Sequence, residues 1–232
     1  PEAAFSNRLA VELAAKRHLC AGIDPHAGLL AEWGLENDAA SAERLGRDVV
    51  AASVGVAACI KPQVAFFERF GSAGFVALER VLADARSAGL LVIADAKRGD
   101  IGSTFAAYAD AWLSPGSPLE SDALTVSPYL GFGSLEPAFN HVREHGKGLF
   151  VLAATSNPEA RSVQTAKRED GRSLAQAMVD DALAFDSPLD THVNSIGVVL
   201  GATLNLADFD IDTAAAPATP ALPVLAPGFG AQ

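Results

Sequence analysis

Short apolar runs alternate along this chain with longer stretches of helical period. Residues 19–24 (LCAGID) predict a first strand. In residues 41–57, Leu45, Val49, Ala52 and Val56 recur three to four apart, the spacing of one helix face, with Ser41 placed to cap the start. Residues 58–63 (ACIKPQ) predict a second strand, 75–88 a helix closed by Gly89, 90–97 (LLVIADAK) a third strand, and 103–113 another helix. Strands follow at 123–129, 148–155, 196–202 and 222–226, and residues 186–194 and 213–223 predict loops, the second rich in Ala and Pro.

Most of these strands are apolar almost throughout, as parallel strands covered on both faces are. Alternation of strand and helix allows an open doubly wound sheet or a closed barrel. Two features favour the barrel. Polar residues recur at the C-terminal ends of the strands: Asp24, Lys61, Asp95 with Lys97, Ser127, Ser156 and Thr203. In a (β/α)8 barrel those ends converge on one mouth. No Gly-x-Gly-x-x-Gly follows the first strand, so the dinucleotide fingerprint is absent. The expected fold is an α/β, (β/α)8 TIM barrel forming one domain over residues 1–232. Seven strands are counted, and the eighth is expected beyond Gln232.

Composition narrows the function. Half of the residues are hydrophobic and 19% are charged, enough for a large core and against disorder. The formal net charge of −11 repels phosphate backbones and argues against a nucleic-acid partner. An anionic small molecule would need a locally positive pocket. The two cysteines, Cys20 and Cys59, lie in apolar strands and read as reduced core residues. Neither a basic leader nor an apolar run of roughly 18 residues is visible, so a cytoplasmic protein without a membrane partner is expected. His141 and His145, four apart on an expected surface helix, read as solvated side chains, and no metal site is expected. Gly131-Phe132-Gly133 reads as a turn in preference to a phosphate nest, and Phe66 and Phe67 as packing residues.

The candidate chemistry gathers at Asp95-Ala-Lys97-Arg-Gly-Asp100. Residues i and i+2 of a strand point to one side, so Asp95 and Lys97 face the same space, with Asp100 on the loop beyond. Charges at the end of an apolar strand are costly unless they pair or work. Taken alone the run fits a structural ion pair as well as a catalytic group. Lys61, ending the neighbouring strand, extends it towards an alternating Lys–Asp–Lys–Asp array.

These residues resemble a known signature. DAKRGDIGST (residues 95–104) is similar to the motif of the orotidine 5′-phosphate decarboxylase family. The resemblance continues through Gly22-Ile-Asp24-Pro, Lys61-Pro-Gln-Val-Ala-Phe-Phe-Glu68, Ser127-Pro-Tyr-Leu-Gly-Phe-Gly133, Ala154-Thr-Ser156-Asn-Pro and Pro227-Gly-Phe-Gly-Ala-Gln232, in the family's order. The branch carrying SPYLGFGSL and ATSNPE is the most similar. The resemblance implies cofactor-free decarboxylation of orotidine 5′-phosphate to UMP in pyrimidine biosynthesis. It implies Lys97 as proton donor to C6, with Asp95 and Lys61 completing the array. Asp24 would bind ribose hydroxyls, Ser156 the pyrimidine edge, and Pro227 and Gln232 would lie by pyrimidine and phosphate. A homodimer is implied, with Asp100, Ile101 and Thr104 serving the partner's site. The role of Ser127 stays open.

Rival readings remain. Metal-dependent sugar-phosphate relatives share Asp-x-Lys-x-x-Asp but place a metal-binding Glu where this chain has Lys61. A Schiff-base aldolase would use Lys97 as a neutral amine, which two flanking Asp oppose. A catalytically silent barrel that binds nucleotides or a partner protein would be expected to have lost one of the four charges, and all four are present.

Overall fold

The computed structural model describes residues 3–185, 192–212 and 218–229. The elements are, in order, α1 (Phe5–Ala14), β1 (Cys20–Ile23), α2 (Ala27–Glu32), α3 (Ala39–Ser53), β2 (Cys59–Pro62), α4 (Ala65–Glu68), α5 (Gly71–Ser87), β3 (Leu91–Arg98), α6 (Gly102–Leu113), β4 (Ala123–Val126), α7 (Glu136–His145), β5 (Gly148–Ala154), α8 (Ala160–Gln164), α9 (Leu174–Leu183), β6 (Ile196–Leu200) and β7 (Val224–Leu225). The seven strands form one sheet in the order β1 to β7, every neighbouring pair parallel. Sequential parallel order, with an α-helix in every crossover up to β6 among the described residues, is the winding of a (β/α)8 barrel. Among the described residues no strand joins β7 to β1, so the sheet is a curled, open barrel wall.

Alternation along the strands divides the core in two. Ile60, Val92, Leu124 and Val151 point outward and pack with Leu45, Leu78, Phe105 and Val142 of the helices. Cys59, Leu91, Ile93, Ala123, Phe150 and Val199 point inward and fill the lower barrel. Cys20 and Cys59 are register partners on β1 and β2, and both are free. Helix α1, which the sequence pattern does not predict, closes the end of the barrel where the strands begin. Phe5 meets the ring of Phe150 edge-on at 6.0 Å. A Cβ on Gly148 would lie 2.3 Å from the Phe5 ring, so that approach requires glycine. Arg8 pairs with Asp122 at 2.5 Å, and Asp122 also accepts the Val92 N–H.

Several boundaries differ from the sequence expectation for local reasons. Helix α3 is capped by Asp38, whose carboxylate accepts the Ser41 N–H at 2.8 Å, so Ser41 is a first-turn donor and not the cap. Its end comes at Ser53, just before Gly55 at φ +73°. Helix α5 begins at Gly71, earlier than predicted, and closes with Gly89 at φ +72°. The fourth strand stops at Val126. Of the two predicted loops, residues 186–191 and 213–217 lie outside the described residues.

Candidate active site

The third strand carries the site through an irregularity in its pairing. Ala94 lies opposite Leu124 and Arg98 opposite Val126, so four steps along β3 span two along β4. The surplus residues, 95–97, bulge towards the mouth, and Lys97 takes φ +48°. A left-handed lysine backbone costs about 1–2 kcal/mol and persists only where the surroundings fix it. Here the Lys97 N–H donates to Thr125 Oγ1 at 2.9 Å. On the other flank Gln63 bridges to Asp95 in the continuation of β2.

Asp95 is 8% exposed and is the hub of the site. Its Oδ1 accepts from Lys97 Nζ at 2.7 Å and from the Thr125 hydroxyl at 2.8 Å, and its Oδ2 accepts from Lys61 Nζ at 2.9 Å. Lys97 Nζ also donates to Gln63 Oε1 at 3.1 Å. Lys61 is largely enclosed, whereas the Lys97 side chain is 42% exposed and extends into the mouth. Two ammonium groups face the buried Asp95 carboxylate, and the Asp24 carboxylate also acts on Lys61, so charges of opposite sign alternate across the site.

Electrostatics keep Asp95 and Lys61 ionised. Burial works to raise the Asp95 carboxyl, but the charges and hydrogen bonds of Lys61 and Lys97 outweigh it and hold it below its ordinary value. Burial likewise works to lower Lys61, yet Asp95 and Asp24 leave it raised. Asp24 follows β1, whose Gly22 is the register partner of Lys61. A Cβ on Gly22 would lie 2.5 Å from Asp24 Oδ2, so glycine makes room for that carboxylate.

The depressed Asp95 value has a consequence for acid stability. A lowered carboxyl contributes stability above its ordinary value of 3.8, and that contribution fades as pH falls through the folded value. In Asp95→Asn the stability should therefore fall less steeply with acidification below about pH 4 than in the wild type. Urea unfolding at a series of pH values measures it. An unchanged slope would mean that Asp95 is not held ionised by its partners.

The other expected residues are distributed as follows. Asp100 sits half-buried between β3 and α6, its Oδ1 accepting the Ile101 N–H at 2.8 Å. Among the described residues it forms no ion pair, so one chain assembles Lys61, Asp95 and Lys97 but not the fourth charge. Ile101 is 61% exposed, and Thr104, in the first turn of α6, is exposed as well. Ser156 is exposed on the loop after β5. The Pro227 carbonyl accepts the Ala202 N–H at 2.8 Å, which sets Pro227 beside the end of β6. Gln232 lies outside the described residues. The Ser127 N–H donates to the Arg98 carbonyl, and its own carbonyl would lie 2.5 Å from a Cβ on Gly99, so Ser127 braces the β3 loop through its backbone.

Gly131 to Gly133 form a turn leading into a short 3-10 segment. Phe67 is fully buried. His141 departs from the expectation of a solvated side chain. It is 11% exposed and lies 3.2 Å from Asp110, and burial pushes its pKa down although Asp110 opposes this. Among the described residues no three His, Cys, Asp or Glu side chains gather as metal ligands would. Sequence reading missed Thr125 and Gln63. Each lies two residues from a residue already singled out, Ser127 and Lys61, and shares its inward parity.

Comparison with known proteins adds a family match over residues 17–232 to the orotidine 5′-phosphate decarboxylase / HUMPS family. The orotidine 5′-phosphate decarboxylase of Streptomyces coelicolor is 53% identical over 229 residues, 98% of this chain and 80% of that protein. A solved structure from Streptomyces avermitilis superposes with a TM-score of 0.88 at 53% identity, covering 99% of this chain and 78% of the other. The OMP decarboxylase of Leishmania donovani superposes with a TM-score of 0.76 at 34% identity, covering 98% and 80%.

Proposed function

The chain belongs to the orotidine 5′-phosphate decarboxylase / HUMPS family, and from that membership we propose that it decarboxylates orotidine 5′-phosphate to UMP through the cluster of Lys61, Asp95 and Lys97. One observation carries the assignment of roles: Asp95 is bonded by both ammonium groups, and the more exposed of the two, Lys97, projects into the mouth. When the bond from C6 to the carboxylate breaks, the electron pair stays on C6 and CO2 leaves. No neighbouring group of the ring can absorb that charge, so stabilisation must come from the protein and appear mainly in the transition state. A fixed ammonium beside C6 supplies it. Lys97 then transfers a proton to C6, completing UMP.

Asp95, next to the departing carboxylate, disfavours the bound ground state and holds both lysines in place. Lys61 and Asp24 face the ribose hydroxyls. Ser156 bonds the pyrimidine edge, Pro227 lies against the ring, and Gln232 serves the phosphate. The remote phosphate supplies binding energy that can be spent on closing the mouth. The active unit is a homodimer in which Asp100, Ile101 and Thr104 reach the partner's ribose. The exposure of Ile101 and Thr104, and the lack of an ion pair for Asp100 among the described residues, support this. No helix among the described residues is long and apolar enough to cross a membrane, and a cytoplasmic enzyme fits a small-molecule substrate.

The reaction so derived uses no metal or organic cofactor. After exhaustive chelation, the rate of orotidine 5′-phosphate consumption, followed by ultraviolet absorbance, should stay within about twofold of the untreated protein, a change under 0.5 kcal/mol. Lys61 motivates the expectation, since it occupies the position where the metal-dependent relatives carry a ligand. Activity that disappeared with EDTA and returned with Mg²⁺ would move the protein to the sugar-phosphate side of the family.

A further inference from the structure

Thr125 is the one polar side chain in β4, and it is fully buried. It stands where the barrel interior changes character, one inward position above Ala123 of the apolar layer and level with Asp95. A hydroxyl has one donor and two acceptor sites. The donor goes to Asp95 Oδ1 at 2.8 Å, and an acceptor takes the Lys97 N–H at 2.9 Å. Both ends of the catalytic tripeptide 95–97 are therefore fastened to one oxygen atom. The irregular pairing explains the need. Where β3 bulges, its ladder with β4 lapses between Ala94 and Arg98, and the N–H of Lys97 bonds a side chain there instead of a strand carbonyl. No other side chain is recorded bonding that N–H among the described residues.

We propose that Thr125 is a positioning residue, whose hydroxyl fixes the β3 bulge so that the Asp95 carboxylate and the Lys97 ammonium keep their mutual geometry during turnover. The proposal rests on the assignment of Lys97 and Asp95 above. It places no atom of Thr125 against substrate. With the hydroxyl gone, Lys97 can leave its left-handed backbone, and Asp95 retains two donors where it had three. Binding depends on many contacts along the nucleotide, whereas this hydroxyl fixes the backbone from which the Lys97 ammonium is aimed at C6, so the loss should fall on kcat.

Thr125→Val keeps the shape and removes the hydroxyl, while Thr125→Ser keeps the hydroxyl and removes a methyl. In Thr125→Val kcat should drop roughly ten- to a hundredfold, the scale of a misplacement near 1 Å, with KM changed less than about threefold. The acid limb of the kcat/KM profile should move to higher pH, because Asp95 loses a donor to its charged form. Thr125→Ser should retain kcat within about threefold, since its oxygen can make both bonds. Activities are to be expressed per UMP-binding site, which removes the contribution of unfolded chains. If Thr125→Val does not fold, Thr125→Ala provides the second hydroxyl-free variant and should show the same fall in kcat per site.

A hydroxyl-free variant with wild-type kcat per site, or a serine variant as damaged as valine, would overturn the proposal. An unshifted acid limb would do the same. Failure of the decarboxylase assignment would look different, since the wild type itself would then leave orotidine 5′-phosphate unchanged.

Discussion

Lys97→Ala should fold as the wild type does and lose turnover by at least about a thousandfold, some 4 kcal/mol of transition-state stabilisation. The fold should survive because Asp95 keeps Lys61 and Thr125 as partners and because the Lys97 side chain is only part-buried. Alanine inherits the left-handed backbone at about the cost lysine bears. Turnover should not survive, because the removed ammonium both stabilises the carbanion and delivers its proton. Lys61 cannot substitute, being enclosed and committed to the far oxygen of Asp95. Thermal unfolding and steady-state kinetics on the same preparation test this. A variant that kept more than about a tenth of the wild-type kcat, a loss below 1.4 kcal/mol, would remove Lys97 from its central role.

The second large effect is a recovery. Lys97→Ala and Asp100→Ala should each be inactive alone and regain activity when mixed. Asp100 bonds only the N–H of its neighbour Ile101 among the described residues, so its replacement should disturb its own chain little. In an isologous dimer with shared sites, one site of the mixed dimer collects both defects and the other collects none. Equal random mixing makes half of the dimers mixed, each with one intact site, so activity should approach about a quarter of wild type. Mass spectrometry of differently tagged subunits establishes exchange independently. Exchange without recovery would assign Asp100 to its own subunit.

The strand cores were legible in the sequence because parallel strands covered on both faces leave nearly unbroken apolar runs, such as residues 90–94. The charged ends of those runs stood out for the same reason. Helix α1 was not legible, since it serves as a lid for the barrel floor and its role depends on Phe150 and Gly148, far along the chain. Asp38 was overlooked as a cap because the apolar period of α3 becomes visible only after Ser41. The β3 bulge could not be read at all. Register is a property of two strands, and the sequence of one does not reveal that three residues face one. Thr125 stayed hidden by chemistry as well as by register, because threonine is an ordinary strand residue until the bulge gives its hydroxyl two partners.

The apolar lower barrel bears on how the proposed cycle would close. In the proposed mechanism each turnover would leave Lys97 one proton short. Beneath Asp95 lie Ile93, Leu91, Phe150 and the Phe5 plug, hydrocarbon side chains that offer no hydroxyl to pass a proton upward. In the proposed mechanism the lysine would recharge through the mouth, from bulk solvent, once UMP has left. On that mechanism the hydrogen that UMP carries at C6 would be one the lysine collected before its substrate arrived. An enzyme equilibrated in D2O and diluted into H2O together with substrate would show only solvent hydrogen at C6 from the second turnover onward, whatever the first had carried.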